Sequence, residues 1–146
     1  MTGAHHDLSG QLHVALPPAE AFVLFTPRGE ATWVPGWEPR FPVRTDDDTA
    51  PGTVFETGAD GEHTIWVVLH RDPGRSISYA RVTPGSRAGV VRVELSPGGD
   101  GGSDVMVGYE LTALTEDAAA ELQRFAAGYA EFLRSWEAAI AALSPP

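Results

Sequence analysis

Glycine-containing turn pairs divide the middle of this chain at short intervals, and the segments between them alternate apolar and polar residues. Asp-Gly and Pro-Gly pairs favour tight turns because glycine adopts positive φ angles without steric cost and proline fixes its own φ. Such pairs stand at Asp60-Gly61, Pro73-Gly74 and Pro84-Gly85. Together with the Gly-rich run 97–102, they predict antiparallel strands at 53–58, 63–71, 76–82, 88–96 and 104–114.

The segments on either side of this meander follow other patterns. Alternation around Leu12 predicts a first strand, and residues 19–25 and the residues after Thr26 predict two short helices. Toward the C-terminus, Thr115 is a favourable N-cap, and apolar residues then recur at three- and four-residue steps. These steps predict one helix over 116–143, about 42 Å long at 1.5 Å per residue.

Hairpin geometry predicts which residues share the inner face of the sheet, since opposed residues of an antiparallel pair point the same way. Short turns place Trp66 opposite Arg81 and His70 opposite Ile77, and a three-residue loop over 84–86 keeps the next strand's apolar residues on that face. The predicted rows are Thr53, Val68, Tyr79, Val91 and Tyr109, and Phe55, Trp66, Arg81, Gly89 and Leu111. Because glycine has no side chain, the second row predicts a gap beside Arg81 that invites a ligand.

Composition excludes several classes of function. The 20 acidic residues against 10 basic ones give a net charge of −10, which repels phosphate backbones and anionic lipids, so no nucleic-acid partner is expected. The absence of cysteine excludes disulfides, a thiolate nucleophile and Cys-ligated zinc. No apolar run reaches the roughly 18–20 residues of a membrane span, and the N-terminus has no secretory pattern. We therefore expect a cytoplasmic protein with no membrane insertion and no metal or cofactor.

The order of elements resembles that of the START-like (SRPBCC, helix-grip, polyketide cyclase-like) superfamily. The segments that carry the resemblance are Pro18-Ala19-Glu20-Ala21-Phe22, Trp33, Tyr109-Glu110-Leu111-Thr112-Ala113-Leu114 and the region of Trp136. The resemblance implies an α+β helix-grip fold, with a curved antiparallel sheet of about seven strands wrapped on a long C-terminal helix and two short helices after strand 1. It implies one domain over residues 1–146, with an ordered core of about 8–143, and an apolar cavity between sheet and helix.

Placing the predicted rows around that cavity gives a set of candidate ligand-binding residues. Arg81 would clamp a carboxylate or phenolate, or would instead stack on Trp66 as a cation–π pair. Tyr79 and Tyr109 would orient a polar group, or would be half-buried aromatics with hydroxyls that reach water. The full set is Trp33, Trp37, Phe55, Trp66, Tyr79, Arg81, Tyr109, Phe125 and Tyr129.

Three functions fit this pattern. The first is a module that binds a small lipophilic or aromatic molecule in the cavity. The second is an enzyme of the polyketide cyclase or aromatase kind, with Arg81 and Tyr79 as the candidate catalytic residues. The third is a partner-binding domain that forms a homodimer through the outward row of Ile65, Val67 and Leu69.

Overall fold

The computed structural model describes residues 4–58 and 61–143, and within them six antiparallel strands form one sheet. The strand order is β1-β6-β5-β4-β3-β2, so β1 and β2 are the two edges. The strands are β1 (His5–Val14), β2 (Val54–Thr57), β3 (Thr64–Asp72), β4 (Ser76–Thr83), β5 (Arg87–Pro97) and β6 (Ser103–Ala113).

The sheet therefore has six strands in the described residues, and the expected number of about seven was too high. Residues 41–53 form no strand and lie next to a single isolated bridge between Arg40 and Glu56. Pro42, Pro51 and three consecutive aspartates occupy this segment. Proline cannot donate a ladder hydrogen bond, and aspartate is depleted in strands, which explains the irregular structure.

The helices differ from the prediction at the C-terminus. Instead of one long helix there are two, α2 (Glu116–Ala127) and α3 (Tyr129–Ala141), separated at Gly128. The prediction of an uninterrupted helix was wrong because glycine in a helix interior costs about 1 kcal/mol relative to alanine. The predicted N-cap is confirmed, since the Thr115 hydroxyl accepts a hydrogen bond from the Ala118 backbone N–H at 3.0 Å.

Two short helical segments follow β1, as predicted. The first, α1 (Pro18–Ala21), continues into a 3-10 turn over Phe22–Phe25. The second is a 3-10 turn over Gly29–Thr32, where the Thr26 hydroxyl accepts a hydrogen bond from the Gly29 N–H at 3.0 Å. Both segments lie against the inner side of the fold, with Phe22 and Phe25 buried.

The strand register confirms the inner-face row that contains Arg81. Phe55 pairs with Trp66, and Trp66 pairs with Arg81. Arg81 in turn pairs with Gly89, and Gly89 pairs with Leu111. The three-residue loop 84–86 is also confirmed, since Thr83 and Arg87 are the last pair before it. Of the predicted turn residues, Asp60 lies outside the described part of the chain.

One predicted pair in β3 and β4 was wrong. The register shifts between Val68 and His70, so His70 lies opposite Ser78, and Arg71 lies opposite Ile77. A bulge adds one residue to one strand and leaves it without a partner. Here the extra residue is Leu69, whose side chain is exposed.

The inner face of the sheet is covered by α2, α3 and the 3-10 turns, and aromatic side chains fill the space between these layers. Trp33 packs edge-on against Phe25 and Trp136, with ring centroids 5.8 and 5.1 Å away. A second group lies over β2 and β3, where Phe55 stacks on Trp66 with centroids 5.7 Å apart. The outer face of β2–β4 is less well covered and leaves Val54, Leu69 and Val82 exposed.

Gly89 is required for a different reason from the one predicted. A Cβ atom built at this position would lie 1.9 Å from the Glu110 carbonyl oxygen and 2.9 Å from the Leu111 Cα atom. The missing side chain therefore permits close approach of the backbones of β5 and β6, and it does not open the gap beside Arg81.

We expect Gly89→Ala to lower the free energy of unfolding by about 1–3 kcal/mol or more, because a backbone shift must relieve the overlap. Urea denaturation of the variant and the wild type measures this difference. Gly99→Ala is the matched control, since a Cβ atom there meets no atom within 4 Å. Equal stability of the Gly89 and Gly99 variants would contradict the close-approach explanation.

Candidate functional site

A cavity of about 280 Å³ lies between the sheet and α2. The sheet supplies its floor from β4, β5 and β6, and α2 with the start of α3 supplies its roof. We call it the Arg81 cavity. Its lining residues are Glu62, Arg81, Arg87, Tyr109, Leu111, Glu121, Leu122, Phe125 and Phe132.

Arg81 is the buried charged residue of this cavity, with only 8% of its surface exposed. Its Nη2 donates a hydrogen bond to the Thr83 hydroxyl at 2.9 Å, and its Cζ lies 5.0 Å from the centroid of the Trp66 ring. Among the described residues, the Nε atom has no hydrogen-bond partner. Burial, and secondarily the positive charge of Arg87, lower the pKa of Arg81 to about 10, so the guanidinium is still charged at neutral pH.

The two groups that hold Arg81 are themselves fixed by threonine hydroxyls. Trp66 Nε1 donates to the Thr57 hydroxyl at 3.0 Å, which sets the orientation of the indole. The hydroxyls of Thr64 and Thr83 lie 2.7 Å apart and share a hydrogen bond. These three threonines are buried at one end of the inner face, so the position of the guanidinium is determined by neighbours on β2, β3 and β4.

A second cation at the cavity is already paired. Arg87 donates two hydrogen bonds to the Glu62 carboxylate, from Nη1 at 3.1 Å and from Nη2 at 2.9 Å. This contact lowers the pKa of Glu62 below its ordinary value. Glu121 also lines the cavity, from the exposed side of α2. Both charges of the Glu62–Arg87 pair are therefore compensated, whereas that of Arg81 is not.

Tyr109 supplies the second polar group with a buried position in the cavity wall. Its ring packs edge-on against Phe125 and Phe132, with centroids 5.4 and 5.9 Å away. Burial raises the pKa of the Tyr109 hydroxyl, and the charge of Arg81 partly opposes that rise. The hydroxyl is therefore a neutral hydrogen-bond donor at neutral pH.

Three of the predicted site residues, Arg81, Tyr109 and Phe125, line the Arg81 cavity. The other six do not line this cavity, and the side-chain polar atoms of five of them form hydrogen bonds within the fold. Tyr79 donates its hydroxyl hydrogen to the Phe25 carbonyl at 2.8 Å. The remaining bonds run from Tyr129 to the Val107 carbonyl at 2.6 Å, from Trp33 to the Leu24 carbonyl at 2.7 Å, and from Trp37 to the Pro27 carbonyl at 2.7 Å. Trp66 is held as described above, and Phe55 is stacked on it.

Six lining residues were not among the predicted site residues. Three of them could have been predicted to face the cavity. Leu111 is in the predicted inner-face row, and Leu122 and Phe132 belong to the apolar residues that recur at three- and four-residue steps. Glu62 and Arg87 are 25 positions apart in the chain, and only their hydrogen bonds bring them together. The full set that was missed is Glu62, Arg87, Leu111, Glu121, Leu122 and Phe132.

Glu30 is a further acidic group in the interior that the sequence pattern did not indicate. It lies in the 3-10 turn Gly29–Thr32 and is partly buried. Burial raises the pKa of its carboxyl well above the ordinary value. Burial raises the pKa values of Tyr79 and Tyr109, and the Glu30 charge adds to this rise.

A larger, more apolar groove lies at the other end of the molecule. It has a volume of about 470 Å³ and separates the end of β1 from the C-terminal part of α3. We call it the Leu16 groove, and its lining residues are His13, Val14, Ala15, Leu16, Leu24, Glu137, Ile140, Ala141 and Leu143. It contains no buried, uncompensated charge comparable to Arg81, and we therefore consider the smaller Arg81 cavity the better candidate.

Two kinds of feature are absent from residues 4–58 and 61–143. No group of three or more His, Asp or Glu residues there is arranged to hold a metal ion. No helix there is long and apolar enough to cross a membrane.

Comparison with known proteins gives one family and many structural neighbours. Residues 5–141 match the model of the family described as polyketide cyclase / dehydrase and lipid transport. Protein MLL2253 of Mesorhizobium loti is 19% identical, with a TM-score of 0.69 over 96% of this chain and 100% of that chain. The comparison with curated proteins gives no match.

Two other structural neighbours have similarly low sequence identity. CalU16 of Micromonospora echinospora is 20% identical, with a TM-score of 0.61 over 94% of this chain and 86% of that chain. DynU16, described as a protein in the dynemicin biosynthetic locus, is 18% identical, with a TM-score of 0.62 over 90% of this chain and 45% of that chain. At these identities the likeness shows the fold alone.

The raised pKa of Glu30 predicts a pH-dependent stability. A folded-state pKa above the unfolded value means that the folded state binds more protons, so stability falls as pH rises from about 4.5 through the folded-state pKa. We expect Glu30→Gln to remove this loss and to raise the midpoint of thermal unfolding at pH 8 by roughly 2–4 °C, the shift that 1 kcal/mol gives in a domain of this size.

Thermal unfolding at pH 5 and pH 8 tests this expectation, and the advantage of the glutamine variant should be smaller at pH 5. Glu38→Gln, at an exposed position in the following loop, is the control for the change in net charge. A Glu30 variant that unfolds with the wild type at both pH values would show that the carboxyl is not buried.

Proposed function

Because this chain belongs to the family of polyketide cyclases, dehydrases and lipid-transport proteins, we propose that it binds a small hydrophobic or aromatic molecule in the Arg81 cavity. The observation that carries the proposal is the combination of apolar walls with few polar groups. Leu111, Leu122 and Phe125 offer apolar surface, while Arg81 and Tyr109 lie in the same lining. Small-molecule sites typically combine such walls with a few placed polar groups that fix orientation.

The volume of the cavity limits the size of the ligand. Small-molecule pockets commonly have volumes of about 300–1,000 Å³, and the cavity of about 280 Å³ lies just below that range. Side chains that fill the rest of the interior, such as Trp66 and Trp33, account for this small volume. A compact molecule with one or two rings fits this space better than an extended lipid chain.

An enzyme of the polyketide cyclase kind is the second candidate, and the joint presence of Arg81 and Tyr109 in the cavity favours it. In an intramolecular aldol closure, an enolate carbon attacks a carbonyl carbon of the same molecule, and negative charge moves to that carbonyl oxygen. Arg81 would stabilise the oxyanion and Tyr109 would donate a hydrogen bond to it. Tyr79 is not suited to this role, because its hydroxyl is bonded to the Phe25 carbonyl.

Binding is tested with the neutral fluorescent probe N-phenyl-1-naphthylamine, which gains intensity in apolar surroundings. We expect saturable binding to the wild type, and an affinity lower by about tenfold or more in Leu122→Phe, because the larger side chain occupies the Arg81 cavity. Leu16→Trp is the matched control, since Leu16 lines the other groove. Loss of binding in the Leu16 variant alone would transfer the site to the Leu16 groove and refute the proposal.

The enzyme alternative is tested with N-acetylcysteamine thioesters of short polyketide chains, with product formation followed by mass spectrometry. If the protein is a cyclase, Arg81→Ala and Tyr109→Phe should each lower turnover by about tenfold or more. Tyr79→Phe is the comparison variant, because the Tyr79 hydroxyl is not in the lining of the cavity. Binding of the thioesters without turnover would support the binding function and contradict the enzyme alternative.

A further inference from the structure

Arg81 is a buried cation in the lining of the cavity. Among residues 4–58 and 61–143, no carboxylate forms a salt bridge with Arg81, although six other arginine–carboxylate salt bridges are found there. A buried ionised group is normally paired, since removing it from water is unfavourable. The Thr83 hydroxyl and the Trp66 ring supply only dipole and quadrupole interactions.

We propose that the ligand of the Arg81 cavity carries one carboxylate, which binds at Arg81 while its apolar body lies against Leu122 and Phe125. This inference rests on the proposed function and specifies the chemical class of the ligand. A carboxylate would supply the missing negative charge at the guanidinium. A neutral carbonyl would accept a hydrogen bond there but would leave the charge uncompensated.

The other charged residues that line the cavity do not compensate the charge of Arg81. Arg87 also lines the cavity, but as a second cation it cannot supply the missing negative charge. Glu62 attracts Arg81 but is held by Arg87 in a two-bond contact. Glu121 is on the exposed side of α2, where water and salt screen its charge.

Tyr109 adds specificity for an oxyanion at the same place. Tyr109 lines the cavity, and its hydroxyl remains protonated at neutral pH, since burial raises its pKa. Arg81 lines the same cavity. A ligand carboxylate at the guanidinium would thus have a neutral donor in addition to the cation.

The test compares 2-naphthoate with 2-naphthamide, two molecules of nearly the same shape that differ in charge. Isothermal titration calorimetry at pH 7 gives both dissociation constants for the full-length protein. We expect the wild type to bind 2-naphthoate about tenfold or more tightly than 2-naphthamide. In Arg81→Leu this ratio should fall at least tenfold, and in Arg81→Lys much of it should remain because the charge is kept.

Arg92→Leu is the matched control, since it removes the same charge at a partly exposed position outside the Arg81 cavity. Its ratio of dissociation constants should equal that of the wild type. Replacing a buried charge with an apolar side chain is often neutral or stabilising, and Arg81→Gln provides a second variant if the leucine variant does not fold.

The outcomes separate the two proposals. If neither molecule binds, and N-phenyl-1-naphthylamine does not bind in the Arg81 cavity either, the proposed function itself fails. If only N-phenyl-1-naphthylamine binds there, the assignment of a carboxylate is overturned. If both bind with equal affinity, and Arg81→Leu leaves their ratio unchanged, the cavity binds ligands but the assignment of a carboxylate is overturned. A preference for 2-naphthoate that Arg81→Leu abolishes and Arg92→Leu retains supports the inference.

Discussion

A positive charge inside the protein is the constraint around which this end of the fold is arranged. Arg81 lies on the inner face because the pairing of β3, β4 and β5 places it opposite Trp66 on one side and Gly89 on the other. The indole and the Thr83 hydroxyl that contact the guanidinium are held by further hydroxyls from neighbouring strands. The network positions the cation without neutralising it, and the Arg81 cavity lies beside it.

Much of this arrangement could be predicted from the sequence. Turn pairs and apolar alternation were sufficient to place Arg81 between Trp66 and Gly89, because a register slip of one residue would have buried charged side chains instead. The resemblance to a START-like family is confirmed by the match over residues 5–141. Turn pairs and apolar alternation act over a few neighbouring residues, so the sequence alone is enough to predict the strands and their pairing.

Other features could not be predicted in this way. The bulge at Leu69 and the close approach at Gly89 depend on how neighbouring backbones meet. The hydroxyls of Tyr79 and Tyr129 bond to the carbonyls of Phe25 and Val107, partners that are distant in the chain. Alternation shows that a tyrosine faces inward, but it does not show whether the hydroxyl meets a carbonyl or a cavity. Of the nine residues predicted for the site, three line the Arg81 cavity.

The interruption at Gly128 separates the helix that covers the Arg81 cavity from the helix that packs on β1. Glu121, Leu122 and Phe125 belong to α2, whereas Tyr129 and Leu133 anchor α3 in the core beside β1. The roof of the Arg81 cavity and the structural anchor of the fold thus lie largely in separate helices on the two sides of one glycine. Protein engineers could therefore vary the twelve residues of α2 to change the lining of the cavity and leave α3, which anchors the fold, unchanged.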